Sequence, residues 1–409
     1  MSGLDPSAAS GWDDYDHLAA AAMEDPAPLL TQLRASCPVG HSRRHGGFYV
    51  LTRYADCTAA ARDPLFSSST DRGPGPGFPF GHTYPLPMCM IADDAPRHRD
   101  FRRPLQDIFS ARSAAAMAPA IRATCQRLID GFIERGTADL AEGYAAQVPG
   151  ILTCELLDLP RGDRARFQGW AHEIVATGGD TDAMAQLVQY TDELYDLRRA
   201  RPGDDIPSLL LGVQVQGQPI TRTQWRGTVV LLVLAGLDTV ANAGALALHL
   251  IGTRDDLRAH LLEDPARIRA ALPEILRWTS PVPQHSRGVT AEVEMGGHRF
   301  EAGDVVQLNW LAANRDPEQF QAPDSFDVQR APNRHLAFGH GPHRCLGEAL
   351  ALVELEQIIG AALERIPDFR IVPAGTVRYP SLNRAISHLH VVFTPGRRLH
   401  AESHTGEST

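Results

Sequence analysis

The segment Phe338–Gly347 (FGHGPHRCLG) combines residue types that suit metal chemistry. Its glycines permit the positive φ angles and close backbone approach of a tight loop, so backbone N–H groups can face the sulfur of Cys345. An amphipathic helix is expected directly after the loop, and its positive end favours a thiolate. A thiolate on iron donates electron density that assists O–O cleavage. The loop therefore predicts a cysteine ligand to a metal; the alternative is a buried cysteine in an ordinary glycine loop.

A second candidate for chemistry is the centre of the long apolar segment Arg222–Thr253, where Asp238 and Thr239 follow Gly236. Glycine weakens a helix by about 1 kcal/mol relative to alanine, and a threonine hydroxyl can bond back to a carbonyl of its own helix. One interpretation is a locally bent core helix. The functional interpretation is a groove in which Thr239 positions O2 or water and Asp238 relays protons.

Glu274 and Arg277 stand three residues apart in PEILRW, on one face of a predicted helix. Such pairs also arise by chance, and their ordinary interpretation is a solvated ion pair. The spacing alone therefore indicates a contact between the two side chains and assigns no function to it.

The cysteine loop resembles that of the cytochrome P-450 superfamily. The pattern FGxGxHxCxG is matched at Phe338, Gly339, Gly341, His343, Cys345 and Gly347. The stretch AGLDTV is similar to the oxygen-binding helix of soluble bacterial, camphor-hydroxylase-like members, and the resemblance runs from residue 48 to the final strands. The chain departs from the family at Leu352, where an arginine is frequent, and at Ala95, where the family has a proline.

The resemblance implies a non-covalent haem b whose iron is bound by Cys345. The two propionates of a haem need cationic partners. The residues that the family places against the haem are His98, Arg102, Ala235, Arg287, Phe338, His343, Cys345 and Gly347. The resemblance also implies that Glu274, Arg277 and Arg330 form a buried structural triad behind the cysteine loop.

A substrate pocket is implied as well, with walls that are mainly apolar. The candidates by family position are Phe80, Tyr84, Met88, Leu231, Leu234, Val282 and Ile386. Apolar walls favour a small, hydrophobic substrate. For the Pro/Gly-rich loop that contains Phe80 and Tyr84, a mobile surface loop is the alternative interpretation.

Hydrophobic periodicity predicts that helix dominates. The predicted helices are Pro119–Arg135, Pro207–Leu211, Arg222–Thr253, Leu257–Leu262, Pro265–Thr279 and Leu346–Arg365. The predicted strands are Gly47–Thr52, Val289–Phe300, Val305–Asn309 and His388–Phe393. These elements favour a mainly α fold with small peripheral β-sheets. Through the resemblance this becomes the P-450 fold, with the haem between a long central helix and the cysteine-loop helix. We expect one domain over residues 1–409, flexible at 1–20 and 397–409.

Composition narrows the class of protein. The chain has 409 residues, and its formal net charge of −10 argues against general affinity for nucleic acid or anionic lipid. The first residues show no secretory signal, and six scattered cysteines fit a reducing cytoplasm. Asp238 would cost about 2.5–3.5 kcal/mol in a bilayer, which favours a buried helix over a membrane span.

The activity implied by the resemblance is monooxygenation, the insertion of one oxygen atom from O2 into a C–H bond. Electrons are expected from a separate ferredoxin-type protein that docks near Arg99, Arg103 and Arg344, and the enzyme is expected to be a monomer. Two other function classes stay open. One is a haem-thiolate binding or sensing protein without turnover, against which the pair Asp238–Thr239 argues. The other is a peroxide-driven peroxygenase, which would not need that pair.

Overall fold

The computed structural model of the chain describes residues 11–69, 86–177, 181–378 and 381–400, and most of them are helical. The helices are α1 (His17–Ala22), α2 (Ala27–Ser36), α3 (Tyr54–Ala60), α4 (Arg97–Arg102), α5 (Ala111–Asp130), α6 (Gln147–Leu156), α7 (Arg164–Thr177), α8 (Asp182–Ala200), α9 (Ile206–Leu210), α10 (Arg222–Thr253), α11 (Asp255–Glu263), α12 (Ala266–Thr279), α13 (Trp310–Ala313) and α14 (Glu348–Arg365). The prediction that helix dominates is confirmed.

The long helix α10 is the centre of the molecule. It begins with the predicted capping box: the Thr221 hydroxyl accepts the Gln224 N–H (3.2 Å), and the Gln224 side chain accepts the Thr221 N–H (2.9 Å). In the described part of the chain, α10 is the helix that is long and apolar enough to cross a membrane, and 72% of its most apolar stretch is buried inside the protein. This burial favours a core helix.

Two hydrophobic clusters pack against different halves of α10. Residues 225–237 lie in a cluster with α7 and α8, whereas residues 240–251 lie in a cluster with α5, α12 and α14. Asp238 and Thr239 therefore stand at the boundary between the two cores. A boundary between separately packed cores is a natural position for an internal cavity, because neither core fills it.

The strands form one larger sheet and three small ones. They are β1 (Val39–Ser42), β2 (Phe48–Leu51), β3 (Phe66–Ser67), β4 (Thr137–Asp139), β5 (Gln214–Val215), β6 (Gln218–Pro219), β7 (Gln284–Val289), β8 (Val293–Met295), β9 (His298–Phe300), β10 (Val305–Asn309), β11 (Arg370–Arg378) and β12 (Ile386–Val392). The larger sheet has the order β1-β2-β10-β7-β3, in which only β2 and β10 are parallel. A second sheet has the order β11-β12-β4.

Hydrogen bonds join both ends of the described chain to the rest of the protein. Residues 11–20 were expected to be flexible, but Trp12 is buried and donates its indole N–H to carbonyl oxygens at the end of α2. Residues 397–400 were also expected to be flexible, but the Asp130 carboxylate accepts the backbone N–H groups of residues 399 and 400. That residues 1–20 and 397–409 are flexible stays a prediction. The remaining terminal residues lie outside the described ones.

The residues of the predicted triad lie in direct contact. Arg277 donates from Nε and Nη2 to the Glu274 carboxylate (2.7 and 2.8 Å), and Arg330 Nε donates to the same carboxylate (3.1 Å). The side chains of Glu274 and Arg277 are almost fully buried, with exposed fractions of 1% and 0%. Asn333 and the Asp327 N–H also donate to Glu274. The carboxylate therefore ties the segment that leads into the cysteine loop to α12.

We expect Arg277→Met to destabilise the protein by about 3–5 kcal/mol, because it leaves the Glu274 carboxylate in the interior without its main counter-charge. The measurement is the free energy of unfolding in urea. The matched control is Arg299→Met, which removes an exposed arginine from its ion pair with Glu292 and should change stability by less than about 0.5 kcal/mol. Equal costs for the two substitutions would contradict a buried charge cluster.

Candidate functional site

A cavity of about 350 Å³ lies where the two cores meet. Its walls come from α10, the cysteine loop, α14, and the strands β7 and β10. This volume is within the range of sites that bind small molecules and cofactors. The cavity is therefore the place at which the predicted site residues can be compared.

The cysteine loop has the backbone geometry that its glycines predict. Gly339 and Gly341 have φ angles of +69° and +71°. A Cβ on Gly341 would lie 2.4 Å from the carbonyl oxygen of Ala61, so a side chain there would collide with backbone. The Cys345 N–H donates to the Phe338 carbonyl (2.9 Å), which closes the loop. Glycine is thus required at 341 both for conformation and for close packing on α3.

The sulfur of Cys345 reaches the cavity. The protein around it raises the pKa of the thiol to about 11 through burial, although the Gly347 N–H donates to the sulfur and acts in the opposite direction. Arg102 and Arg344 also lower this pKa, but burial outweighs them, so the thiol stays protonated near neutral pH when no metal ion is bound. A bound metal ion would favour the thiolate outright.

Two arginines and two histidines line the cavity beside the cysteine loop: His98, Arg102, Arg287 and His343. The rings of His98 and His343 lie 4.3 Å apart between centroids. Burial lowers the pKa of His98 to about 4, of His343 to about 2 and of Arg287 to about 10. Near neutral pH the two histidines are therefore uncharged, and the positive charge of the cluster lies on Arg102 and Arg287, where an anionic group would stabilise it.

The hydrogen bonds of this cluster are consistent with an anionic ligand. The guanidinium of the buried Arg287 donates to the Ser286 carbonyl (2.7 Å), and the guanidinium of Arg102 donates to the Arg344 carbonyl (2.7 Å). Neither arginine forms an ion pair with another described residue. The Nε2 atom of His98 is buried with no hydrogen-bond partner in the same part of the chain. A thiol next to unneutralised cations fits a haem, which combines an iron ion with two carboxylates.

Thr239 faces the cavity from α10. Its hydroxyl donates to the carbonyl of Ala235 (2.8 Å), and both residues line the wall together with Gly236. The helix continues through this region without a break. Gly236 has a packing role, because a Cβ there would lie 2.7 Å from the Thr153 hydroxyl of α6.

Asp238 does not line the cavity that Thr239 faces. Its Oδ2 accepts hydrogen bonds from the Asn242 and Asn383 amides (2.8 and 2.7 Å), and these bonds hold the carboxyl behind the wall. Burial raises the pKa of Asp238. Asn383 itself lines the cavity, so the acid lies one side chain away from it.

Of the other residues predicted from the family resemblance, some line the cavity and others do not. The residues predicted to contact the haem, Ala235, Phe338 and Gly347, line the cavity. Three of the predicted pocket residues also line it: Leu231, Leu234 and Val282. These three apolar side chains form part of a wall that continues with Val175 and Ile206. Phe80 and Tyr84 lie outside the described residues.

Met88 and Ile386 do not line the cavity, and the prediction for these two residues is wrong. Met88 is buried in the core cluster that packs on the first half of α10. Ile386, at the start of β12, is buried in the other cluster. Both side chains fill hydrophobic cores beside the cavity. The position of a residue in the family pattern does not show whether its side chain lines the cavity or packs in the core next to it.

Several cavity residues were missed by the sequence analysis. His285 of β7 accepts a hydrogen bond from the Trp310 indole at Nδ1 (3.0 Å). Gln307 is fully buried in β10, and its amide has no hydrogen-bond partner among the described residues. Burial raises the pKa of Glu354, on α14, to about 8. Gln307 was detectable, since it is the polar residue inside the apolar run VVQLN; nothing distinguishes Glu354 from the surface acids near it in sequence.

Comparisons with known proteins find relatives that match most of this chain. A sequence profile described as cytochrome P450 matches residues 179–381. The chain is 32% identical over 364 residues to the mycinamicin IV hydroxylase/epoxidase of Micromonospora griseorubida, covering 85% of this chain and 90% of that protein. It is 33% identical over 405 residues to the vitamin D(3) 25-hydroxylase of Pseudonocardia autotrophica, covering 94% and 98%.

Solved structures agree over nearly the whole length. The Mycobacterium marinum cytochrome P450 CYP268A2 in complex with pseudoionone matches with a TM-score of 0.84 at 27% identity, covering 96% of this chain and 100% of that one. A mutant of P450 EryK in complex with erythromycin B matches with a TM-score of 0.84 at 28% identity, covering 92% and 97%. The predicted fold class, mainly helical with small sheets, is confirmed.

Proposed function

The chain belongs to the cytochrome P450 family of haem-thiolate oxidoreductases, and we propose that it inserts one oxygen atom from O2 into a C–H bond of a small, mainly hydrophobic substrate. The observation that carries this proposal is that one cavity brings together the Cys345 thiol, the Thr239 hydroxyl and two arginines, Arg102 and Arg287, that form no ion pair among the described residues. In this proposal the cofactor is haem b, Cys345 is its sulfur ligand, and His98, Arg102, Arg287 and His343 bind its propionates.

The chain would hold the cofactor from several sides. When bound, a haem with a thiolate ligand supplies the iron at which O2 is reduced and its O–O bond cleaved. The Gly347 N–H stabilises negative charge on the Cys345 sulfur. Phe338 and Ala235 supply apolar contact on the cysteine-loop side and the α10 side of the cavity.

Thr239 and Asp238 are proposed to deliver protons. The Thr239 hydroxyl donates to its own helix, so its lone pairs are available to accept a hydrogen bond from water or from a protonated oxygen in the cavity. Since burial raises the pKa of Asp238, its carboxyl holds a proton more readily than an exposed acid. The amides of Asn242 and Asn383 fix this acid, so that a proton could pass from it towards Asn383 and the cavity.

The apolar wall supports the proposed substrate class. Leu231, Leu234 and Val282 offer no charge to a ligand, and they exclude water from the space near Thr239. Similar proteins are named for oxidising mycinamicin IV and vitamin D(3), and a third is named a steroid C26-monooxygenase. A mainly hydrophobic substrate could bind in such a cavity with the carbon that is oxidised close to Thr239.

We propose a ferredoxin-type protein as electron donor, and a monomeric, cytoplasmic enzyme. The arginines considered for docking differ in their availability. Arg99 and Arg103 are exposed, whereas both Nε and Nη2 of Arg344 donate to the Glu348 carboxylate (2.6 Å each). Arg99 and Arg103 are therefore the better candidates for contact with an acidic donor.

The direct test uses haem-loaded protein, a ferredoxin with its reductase, NADH and 18O2. Candidate substrates are first selected by their ability to shift the ferric haem from low to high spin. We expect substrate-dependent NADH consumption and one 18O atom in the product. Binding of these ligands without turnover would favour a sensing protein, and turnover with hydrogen peroxide but not with ferredoxin would favour a peroxygenase; either result contradicts the proposal.

Thr239→Ala tests the proton delivery. Without the hydroxyl, we expect reduced oxygen to leave the cavity as hydrogen peroxide, so that product per NADH falls by about tenfold or more while NADH consumption continues. The matched control is Thr253→Ala. Thr253 makes the same hydrogen bond to the carbonyl four residues earlier in α10 (3.0 Å), but it does not line the cavity. Full coupling in Thr239→Ala would refute the assigned role.

A further inference from the structure

A group of possible metal ligands lies on the β11-β12-β4 sheet, apart from the cavity. It consists of Asp139 at the end of β4 together with His388 and His390 of β12, and none of the three lines the cavity. One ligand atom from each residue lies within 4.8 Å of the others. The chemistry proposed for the cavity leaves this group without a role.

Strand geometry brings the two histidines together. Residues two apart in a strand point to the same face of the sheet, so His388 and His390 share one face. Their rings are stacked with 5.6 Å between centroids and 6° between planes. His390 is also paired with Asp139 in the register of β12 and β4, which places the carboxylate beside the two imidazoles.

The Asp139 carboxylate is held in a fixed orientation. Its Oδ1 accepts the backbone N–H groups of Leu389, Ala141 and Glu142 (2.9, 2.9 and 3.3 Å). Its Oδ2 is left for His388, whose Nδ1 lies 2.7 Å away. A site whose ligands are already oriented loses little conformational entropy when it binds an ion.

Glu142 supplies a possible fourth ligand. Its Oε2 lies 3.7 Å from His388 Nδ1, and its side chain is 72% exposed, so it can move without disturbing the core. The His388 side chain is 40% exposed, which leaves a path for an ion from solvent. On a tetrahedral zinc ion, two ligand atoms about 2.0–2.1 Å from the metal are about 3.4 Å apart. The separations of His388 Nδ1 from Asp139 Oδ2 (2.7 Å) and from Glu142 Oε2 (3.7 Å) each lie within about 1 Å of this value.

We propose that Asp139, His388 and His390, completed by Glu142, form a binding site for a divalent transition-metal ion, with Zn²⁺ as the preferred probe. Imidazole nitrogens and carboxylate oxygens are ordinary zinc ligands, and two imidazoles select against Mg²⁺ and Ca²⁺. The ion replaces the proton that Asp139 and His388 share. It would link β4 to β12 and stabilise the folded state in proportion to its occupancy.

A second group with similar residue types, Asp16, His17 and His45, is a less suitable site and serves as a comparison. His17 is only 2% exposed. The Asp16 Oδ1 is already engaged by two backbone N–H groups at the start of α1 and lies 3.1 Å from His45 Nε2. An ion there would have to displace a helix cap.

The experiment uses untagged, haem-loaded protein carrying Cys37→Ser, because Cys37 is exposed and could bind zinc by itself. The parent, His390→Gln, His388→Gln/His390→Gln and the comparison variant His45→Gln are dialysed to equilibrium against micromolar ZnCl2. Bound zinc is then measured by atomic emission, and the thermal unfolding midpoint is recorded with and without zinc. His390→Gln removes one ligand but leaves the hydrogen bond between Asp139 and His388 in place, so it tests the site even if the double variant folds poorly.

We expect one zinc per chain in the parent and in His45→Gln, and a zinc-dependent rise in their unfolding midpoints. His390→Gln should bind at least about tenfold more weakly, since even outer-shell changes at metal sites cost about 10- to 100-fold in affinity. The proposal is overturned if the parent binds no zinc, if His390→Gln binds as tightly as the parent, or if His45→Gln is the variant that loses the ion.

Discussion

The central constraint in this structure is the position of the Cys345 sulfur at the wall of the cavity. In this position the thiol does not ionise near neutral pH without a bound metal ion. Burial raises the pKa of the thiol to about 11, and the N–H of Gly347 compensates only in part. The loop that holds the sulfur is fixed by glycines at 339 and 341 with positive φ angles and by a hydrogen bond across its ends. A thiol held in this way is suited to bind a metal ion, because the positive charge of the ion stabilises the thiolate that burial disfavours.

The same electrostatic principle applies to the rest of the cavity. Arg102 and Arg287 carry positive charge at the cavity wall, and neither forms an ion pair among the described residues. The Glu274 cluster is different, because there the protein supplies both signs of charge and the hydrogen bonds are complete. The Glu274 cluster is therefore neutralised within the protein, whereas the two cavity arginines are the ones that we propose bind an anionic ligand. The exposed fractions of Arg277 and Arg287 are both low, so burial does not distinguish the two clusters.

Much of the site was predictable from the sequence, because the relevant residues lie in short, local patterns. The family indicated by the cysteine loop is confirmed, and the bounds of α10 agree with the prediction. The beginning of α5 was missed: Pro119 suggested a helix start, but it lies inside a helix that Ser110 caps. β7 was not predicted, because most of its residues are polar and do not show the alternation of apolar and polar residues that is typical of a strand. That residues 1–409 form a single domain stays a prediction.

Long-range packing explains the failures within the site. Asp238 and Thr239 are adjacent in sequence, yet only Thr239 faces the cavity, because two amides, one of them 145 residues away, hold the carboxyl of Asp238. Met88 and Ile386 have the right residue types and the right family positions, but their side chains complete two cores.

The most direct test of the central claim is the absorption spectrum of the reduced, haem-loaded protein under carbon monoxide. If Cys345 binds the iron as a thiolate, the Soret band should be strongly shifted to the red, and Cys345→Ser should lose that shift. A folded, fully haem-loaded protein without the shifted band would contradict sulfur ligation.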